Sequence, residues 1–77
     1  RLIFELLIEA YRFGVENNDG MVLVKVKQSV LAARSGLARE TVSRELHKLE
    51  QENLITRSKQ EITIDIKSLE QKLDFSI

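Results

Sequence analysis

The hydrophobic and polar positions of the chain change period several times, and each change marks an element. In residues 1–16, Glu5, Glu9, Arg12 and Glu16 recur at i, i+4, i+7 and i+11, a single polar stripe of helical period. Leu2, Ile3, Phe4, Leu6, Leu7, Ile8, Ala10, Tyr11 and Phe13 fill the rest of the girth. The spacing predicts a helix over 1–16, greasy on several sides, whose surplus apolar face packs against a further domain or a second subunit. Gly14 frays its end, and Asn17-Asn18-Asp19-Gly20 predicts a turn. Residues 21–26 (MVLVKV) are short and β-branched, the signature of a strand. Residues 28–35 (QSVLAARS) read as a short helix, with Val30, Leu31 and the stem of Arg34 turned inward. Gly36 suits a left-handed residue after it.

The longest clean helix is expected over 39–52, where Val42, Leu46 and Leu49 fall at i, i+4 and i+7. Asn53 is a fitting left-handed cap for it. Residues 54–57 and 62–66 read as two strands around the turn 58–61, and Ile62, Ile64 and Ile66 alternate with polar residues as in a half-buried strand. Residues 67–73 add a last helical turn or two, with Leu69 and Leu73 inward and Phe75 packing in the tail. Helix, strand, helix, tight turn, helix, hairpin is the order of a winged helix-turn-helix. The expected fold class is therefore α+β, mostly helical, with a small antiparallel β-hairpin as its wing.

Seventy-seven residues suffice for one core, so residues 1–77 are expected to form one domain. A chain 43% hydrophobic with zero net charge is a soluble globular protein rather than a disordered tail. The absence of cysteine excludes disulfides, zinc-thiolate sites, iron–sulfur clusters and a cysteine nucleophile. No apolar run has the length of a membrane span, and residues 2–8 carry Glu5 with no cleavage site after them, so no signal peptide is read there. The chain opens on Arg1 instead of methionine, which points to a piece of a longer polypeptide.

Charge changes the picture by its distribution. Residues 22–48 hold Lys25, Lys27, Arg34, Arg39, Arg44 and Lys48 against Glu40 and Glu45, a basic middle between two acidic flanks. Such a segment suits an anionic partner, though a solvated surface produces it too. On the helix from Arg39, residues Glu40, Ser43, Arg44 and His47 share an arc opposite Val42, Leu46 and Leu49, with Arg39 flanking it. A helix in the major groove reads bases with its N-terminal residues. Arg44 can donate twice to guanine O6 and N7, Glu40 can accept from cytosine N4, and Ser43 can bond base or phosphate. The same Glu40 and Arg44, four apart, can instead form an ordinary surface ion pair. His47, the sole histidine, is a solvent-facing residue or a phosphate contact. Lys59 in the wing turn, with Lys25 and Lys27, is placed to meet phosphate.

Gly36-Leu37-Ala38-Arg39-Glu40-Thr41-Val42-Ser43-Arg44, followed by Leu46, Leu49-Glu50 and Asn53-Leu54-Ile55, closely resembles the DNA-binding domain of the Crp-Fnr family of bacterial transcription regulators. Leu31-Ala32 matches the start of that pattern, and the likeness covers residues 22–66 tightly. The resemblance implies base contacts by Arg39, Glu40 and Arg44, a further specificity position at Ser43, and a phosphate contact at Thr41. Glu40 with Ser43 and Arg44 looks like the Fnr-type branch. It implies a homodimer on a two-fold-related double-stranded DNA site, with RNA polymerase as a candidate partner and the bacterial cytoplasm as the place of action. It also implies an upstream effector domain, absent here, that binds a small molecule, haem or an iron–sulfur cluster. This chain is expected to hold no cofactor of its own.

The departures from the pattern carry meaning. Ala38 stands where Ser or Thr usually caps the recognition helix, which removes both a cap and a phosphate contact. Lys27 replaces a capping Thr before the preceding helix; it cannot cap, but it can reach a phosphate itself. Arg34 occupies a position that is often apolar, and the wing turn lacks its glycine. Two other readings stay open: a winged-helix module used only for protein–protein assembly, favoured by the wide apolar face of residues 2–13, and another regulator family of GntR or MarR type. An enzyme has no support, since one histidine and no cysteine supply no nucleophile–base pair.

Overall fold

A computed structural model describes residues 1–17, 19–58 and 60–76 of the chain, and the side chains up to residue 73. Helix α1 (Leu2–Phe13) is followed by strand β1 (Val15–Glu16), strand β2 (Val22–Lys25), helix α2 (Gln28–Ser35), helix α3 (Arg39–Gln51), strands β3 (Ile55–Ser58) and β4 (Glu61–Ile64), and helix α4 (Ile66–Ser76). The strands form one antiparallel sheet in the order β1-β2-β4-β3. This is the expected winged helix-turn-helix, with β3 and β4 as the hairpin.

The sheet explains the alternation. Val22 and Val24 on β2, Ile62 and Ile64 on β4 and Ile55 on β3 are buried against the helices. Leu23, Thr63 and Thr56, in register across the three strands, lie on the other face with Val15 of β1. Leu6, Leu31, Leu46 and Leu69, one from each helix, are fully buried at the centre. No helix of the described residues is long and apolar enough to cross a membrane.

Three expectations are corrected. The first helix ends at Phe13 instead of residue 16. Gly14 turns the backbone to an extended conformation (φ −71°, ψ 149°) while its N–H still bonds Ala10 O at 3.0 Å. A Cβ there would stand 2.2 Å from Val22 Cγ1 and 2.4 Å from Ala10 O, so only glycine lets β1 close onto β2. The released Val15 and Glu16 gain ladder partners Leu23 and Val22. Asn17 Oδ1 accepts the N–H of Asp19 and of Met21, which shapes the link between the strands.

Glu9 belongs to the polar stripe of the sequence, but it is buried at 4% exposure. Helix α2 crosses α1 there, and the Arg34 guanidinium is ion-paired to Glu9 Oε1, an oxygen with no other partner. That pairing is why Arg34 occupies a position where an apolar residue would serve packing alone. Finally, the last helix begins at Ile66, which does not continue the strand. Asp65 accepts the Ser68 N–H at 3.2 Å and the Ser68 hydroxyl at 2.9 Å, a side-chain cap that starts the helix one residue earlier than the apolar spacing suggests. The expected packing of Phe75 lies outside the described side chains.

Candidate nucleic-acid interface

The helix-turn-helix is built by α2, three linking residues and α3. Gly36 takes the left-handed conformation (φ 75°) and donates its N–H to Ala32 O at 3.0 Å. Ser35, buried, accepts the Leu37 N–H on its hydroxyl at 3.3 Å, which holds the turn tight. Leu37 packs against the core, and Ala38 opens α3 with its carbonyl accepting from Val42 N at 3.0 Å. Val42, Leu46 and Leu49 are buried beneath α3, as their spacing predicts. The opposite side of the helix is therefore forced outward.

That outward side carries the expected residues. Arg39, Glu40, Ser43, Arg44 and His47 are all exposed, and Thr41 is half-buried on the flank. Among the described residues the ion pairs are Glu9–Arg34, Glu50–Arg57 and Glu52–Lys72. Glu40 and Arg44 do not pair with each other, so the surface salt bridge that the sequence leaves open does not form. Both side chains keep their hydrogen-bonding groups for a ligand.

Lys27 is exposed at the N-cap of α2 and makes no side-chain cap there. Ala38 likewise leaves the first turn of α3 without one. The first amides of two helices thus lack a protein side chain, an arrangement suited to anions. Lys27 and Gln28 share an open cleft of about 270 Å³ with Arg57, Ser58, Gln60 and Glu61, so the start of α2 lies beside the wing. Lys59, expected to meet phosphate, lies outside the described residues.

One feature of this region escapes sequence reasoning, the pairing of Glu50 on α3 with Arg57 on β3, at 2.7 Å between Nη2 and Oε1. The hydrogen bond from Arg57 holds the Glu50 carboxyl below the usual glutamate range. Only the opposite charges on the two sides of the Asn53 turn hint at it. Away from α3, the surplus apolar face expected of the first helix is present: Phe4, Tyr11 and Phe13, with Val15 of β1 beside them, are each more than half exposed. The Tyr11 hydroxyl donates to Glu70 on α4, which raises the phenol's pKa.

The sequence of residues 1–72 matches the family of Crp-like helix-turn-helix domains. Among solved structures, a CRP/FNR-family transcriptional regulator of Thermus thermophilus is 30% identical, with a TM-score of 0.82 over 92% of this chain and 37% of its own. The CO-dependent transcription factor CooA from Carboxydothermus hydrogenoformans, in an imidazole-bound form, gives a TM-score of 0.80 at 22% identity over 100% of this chain and 35% of its own. A second CRP-family regulator of Thermus thermophilus gives 0.75 at 23% identity, over 95% of this chain and 37% of its own. The last two share the fold. The chain thus spans little more than a third of the length of these regulators. No curated protein matches its sequence.

Proposed function

From the chain's membership of the Crp-like helix-turn-helix family, we propose that it is the DNA-reading domain of a bacterial transcription regulator, sequence-specific for double-stranded DNA. Helix α3 enters the major groove. Arg44 and Glu40 read bases, with Arg39 and Ser43 beside them, and Lys27, Thr41, His47 and Lys59 contact phosphates. The observation that carries this reading is the outward face of α3, where Arg39, Glu40, Ser43 and Arg44 are exposed without ion-pair partners beyond a tight left-handed turn. Phosphate contacts position such a helix and base contacts specify its site.

The regulator works as a homodimer on a two-fold-related site in the bacterial cytoplasm, with RNA polymerase as a further partner. An upstream effector domain controls it. The likeness to a CRP/FNR-family transcriptional regulator of which this chain spans little more than a third supports a further domain beside this one.

An amide NMR titration with a short duplex carrying a G·C-containing two-fold site tests the reading. Shifts centred on residues 38–48 and the wing turn, weakening as salt rises, are the expected result. No shifts at low salt would overturn it. One observation then favours an assembly module instead, the exposed Phe4, Tyr11, Phe13 and Val15.

A further inference from the structure

Arg57 is the one cation of strand β3 among the described residues, and a cation on the wing of a DNA-binding domain can meet phosphate. The structure turns it the other way. Arg57 stands opposite Ile62 in the ladder, and Ile62 is buried on the helix side of the sheet, so Arg57 leaves the wing on that same side. Its Nε donates to Glu50 Oε1 at 2.9 Å, and its Nη2 stands 2.7 Å from the same oxygen. The two side chains are 25% and 29% exposed. An ion pair in open water holds little geometry, but two charge-assisted contacts on one half-covered oxygen hold more.

The place of the pair in the chain gives it leverage. Between Glu50 and Arg57 the backbone leaves α3 through Asn53, the one non-glycine residue with positive φ (61°) among those described. Leu54 follows, bonded by its N–H to Leu49 O and by its carbonyl to Asp65 N. The pair bridges this link from side to side. Glu50 lies three residues beyond His47 and seven beyond Ser43, on the flank of α3 that carries both. The flank bearing candidate base- and phosphate-contacting residues is therefore tied directly to the wing.

We infer that Glu50 and Arg57 form a positioning clamp that fixes the angle of the wing against the recognition helix, so that sequence preference depends on two residues that touch no base. The inference rests on the DNA-reading role proposed above. Arg57 acts through Glu50, and Glu50 acts through the angle it sets. Removing either partner loosens the same joint.

The 77-residue chain and its variants E50Q, R57Q, R57K and E50Q/R57Q are titrated by fluorescence anisotropy against two duplexes. One is selected from a random pool by the parent chain, and the other is its scrambled sequence. A parent chain that selects no duplex overturns the DNA reading itself and this inference with it, and this is seen before any variant is made. With a binding parent, E50Q and R57Q should each lower the preference for the selected duplex by about three- to tenfold. The double variant should lose no more than either single one, and R57K should keep most of the preference. Thermal unfolding identifies any variant not folded at the assay temperature; should R57Q be one, E50Q and R57K carry the test. If R57Q weakens binding to both duplexes alike, with a salt slope smaller by about one, and E50Q strengthens both, Arg57 is a phosphate contact and the clamp is overturned. Unchanged preference in the folded variants overturns it as well.

Discussion

At the scale of single residues, chemistry separates groups that face a ligand from groups that hold the fold. Arg44 is exposed and unpaired, so its guanidinium is available for a two-pronged contact with guanine. Replacing it with alanine should cost about 1–3 kcal/mol of binding and relax the preference at one base pair, read by binding to duplexes substituted at each position. Arg34 is its opposite. It neutralises Glu9, whose side chain is only 5% exposed. Arg34→Ala should destabilise the chain by roughly 3 kcal/mol in chemical denaturation at neutral pH, because a carboxylate stays buried without a partner. A paired change of Glu9 and Arg34 to leucine should recover most of that loss. Glu50 supplies a pH dependence. Its pKa is lower in the folded chain than in the unfolded one because of the hydrogen bond from Arg57. The stabilisation is therefore full above the ordinary glutamate value, about 4.3, and fades as pH falls through the lowered one. E50Q should flatten that acid limb of the denaturation midpoint.

At the scale of elements, the helix starts are uneven. Asp65 caps α4, whereas Ala38 and Lys27 leave α3 and α2 without a side-chain cap. Ala38→Ser should raise stability by about 0.5–2 kcal/mol, seen as a higher melting temperature. It should strengthen DNA binding on all sequences alike, since a hydroxyl there can also meet phosphate. The gain arises because the first-turn amides of α3 would then have an acceptor. Strand β1 shows how little an element needs once a neighbour exists. Two residues form it because Gly14 has no side chain to hold it away from Val22.

At the scale of the molecule, zero net charge does not conflict with an anionic partner. Three of the twelve acidic residues, Glu40, Glu45 and Glu50, lie on α3 itself and the other nine outside the helix-turn-helix, on which Lys27, Arg39, Arg44 and Lys48 are exposed. A field depends on where charges sit, and a screened surface is felt within about 10 Å at 0.1 M salt. A single copy offers few phosphate contacts. Joining two copies of the chain through a dimeric coiled coil should raise affinity by about 10²–10⁴-fold. The gain should depend on half-sites one helical turn apart, and shifting them by half a turn should abolish it in a gel-shift titration.

Much of this was legible in the residues. The apolar spacing of Val42, Leu46 and Leu49 alone determines which side of α3 is hidden, and hence which side can meet DNA. Gly36 and Asn53 announce the two left-handed turns, because each conformation penalises residues with a bulky Cβ. The alternation of Ile62 and Ile64 determines the buried face of β4. What periodicity could not supply is what depends on a neighbour distant in the chain. Glu9 has the place of a solvent residue in the helical pattern, and only the crossing of α2 buries it and brings Arg34 to it. Val15 and Glu16 continue the helical stripe, and only the approach of β2 makes them a strand. Arg57 is one polar residue of a strand in the sequence, and only the ladder turns it toward Glu50. Local sequence sets which conformations and faces are favourable one segment at a time, whereas tertiary packing alone decides which charges lose water and which partners replace it.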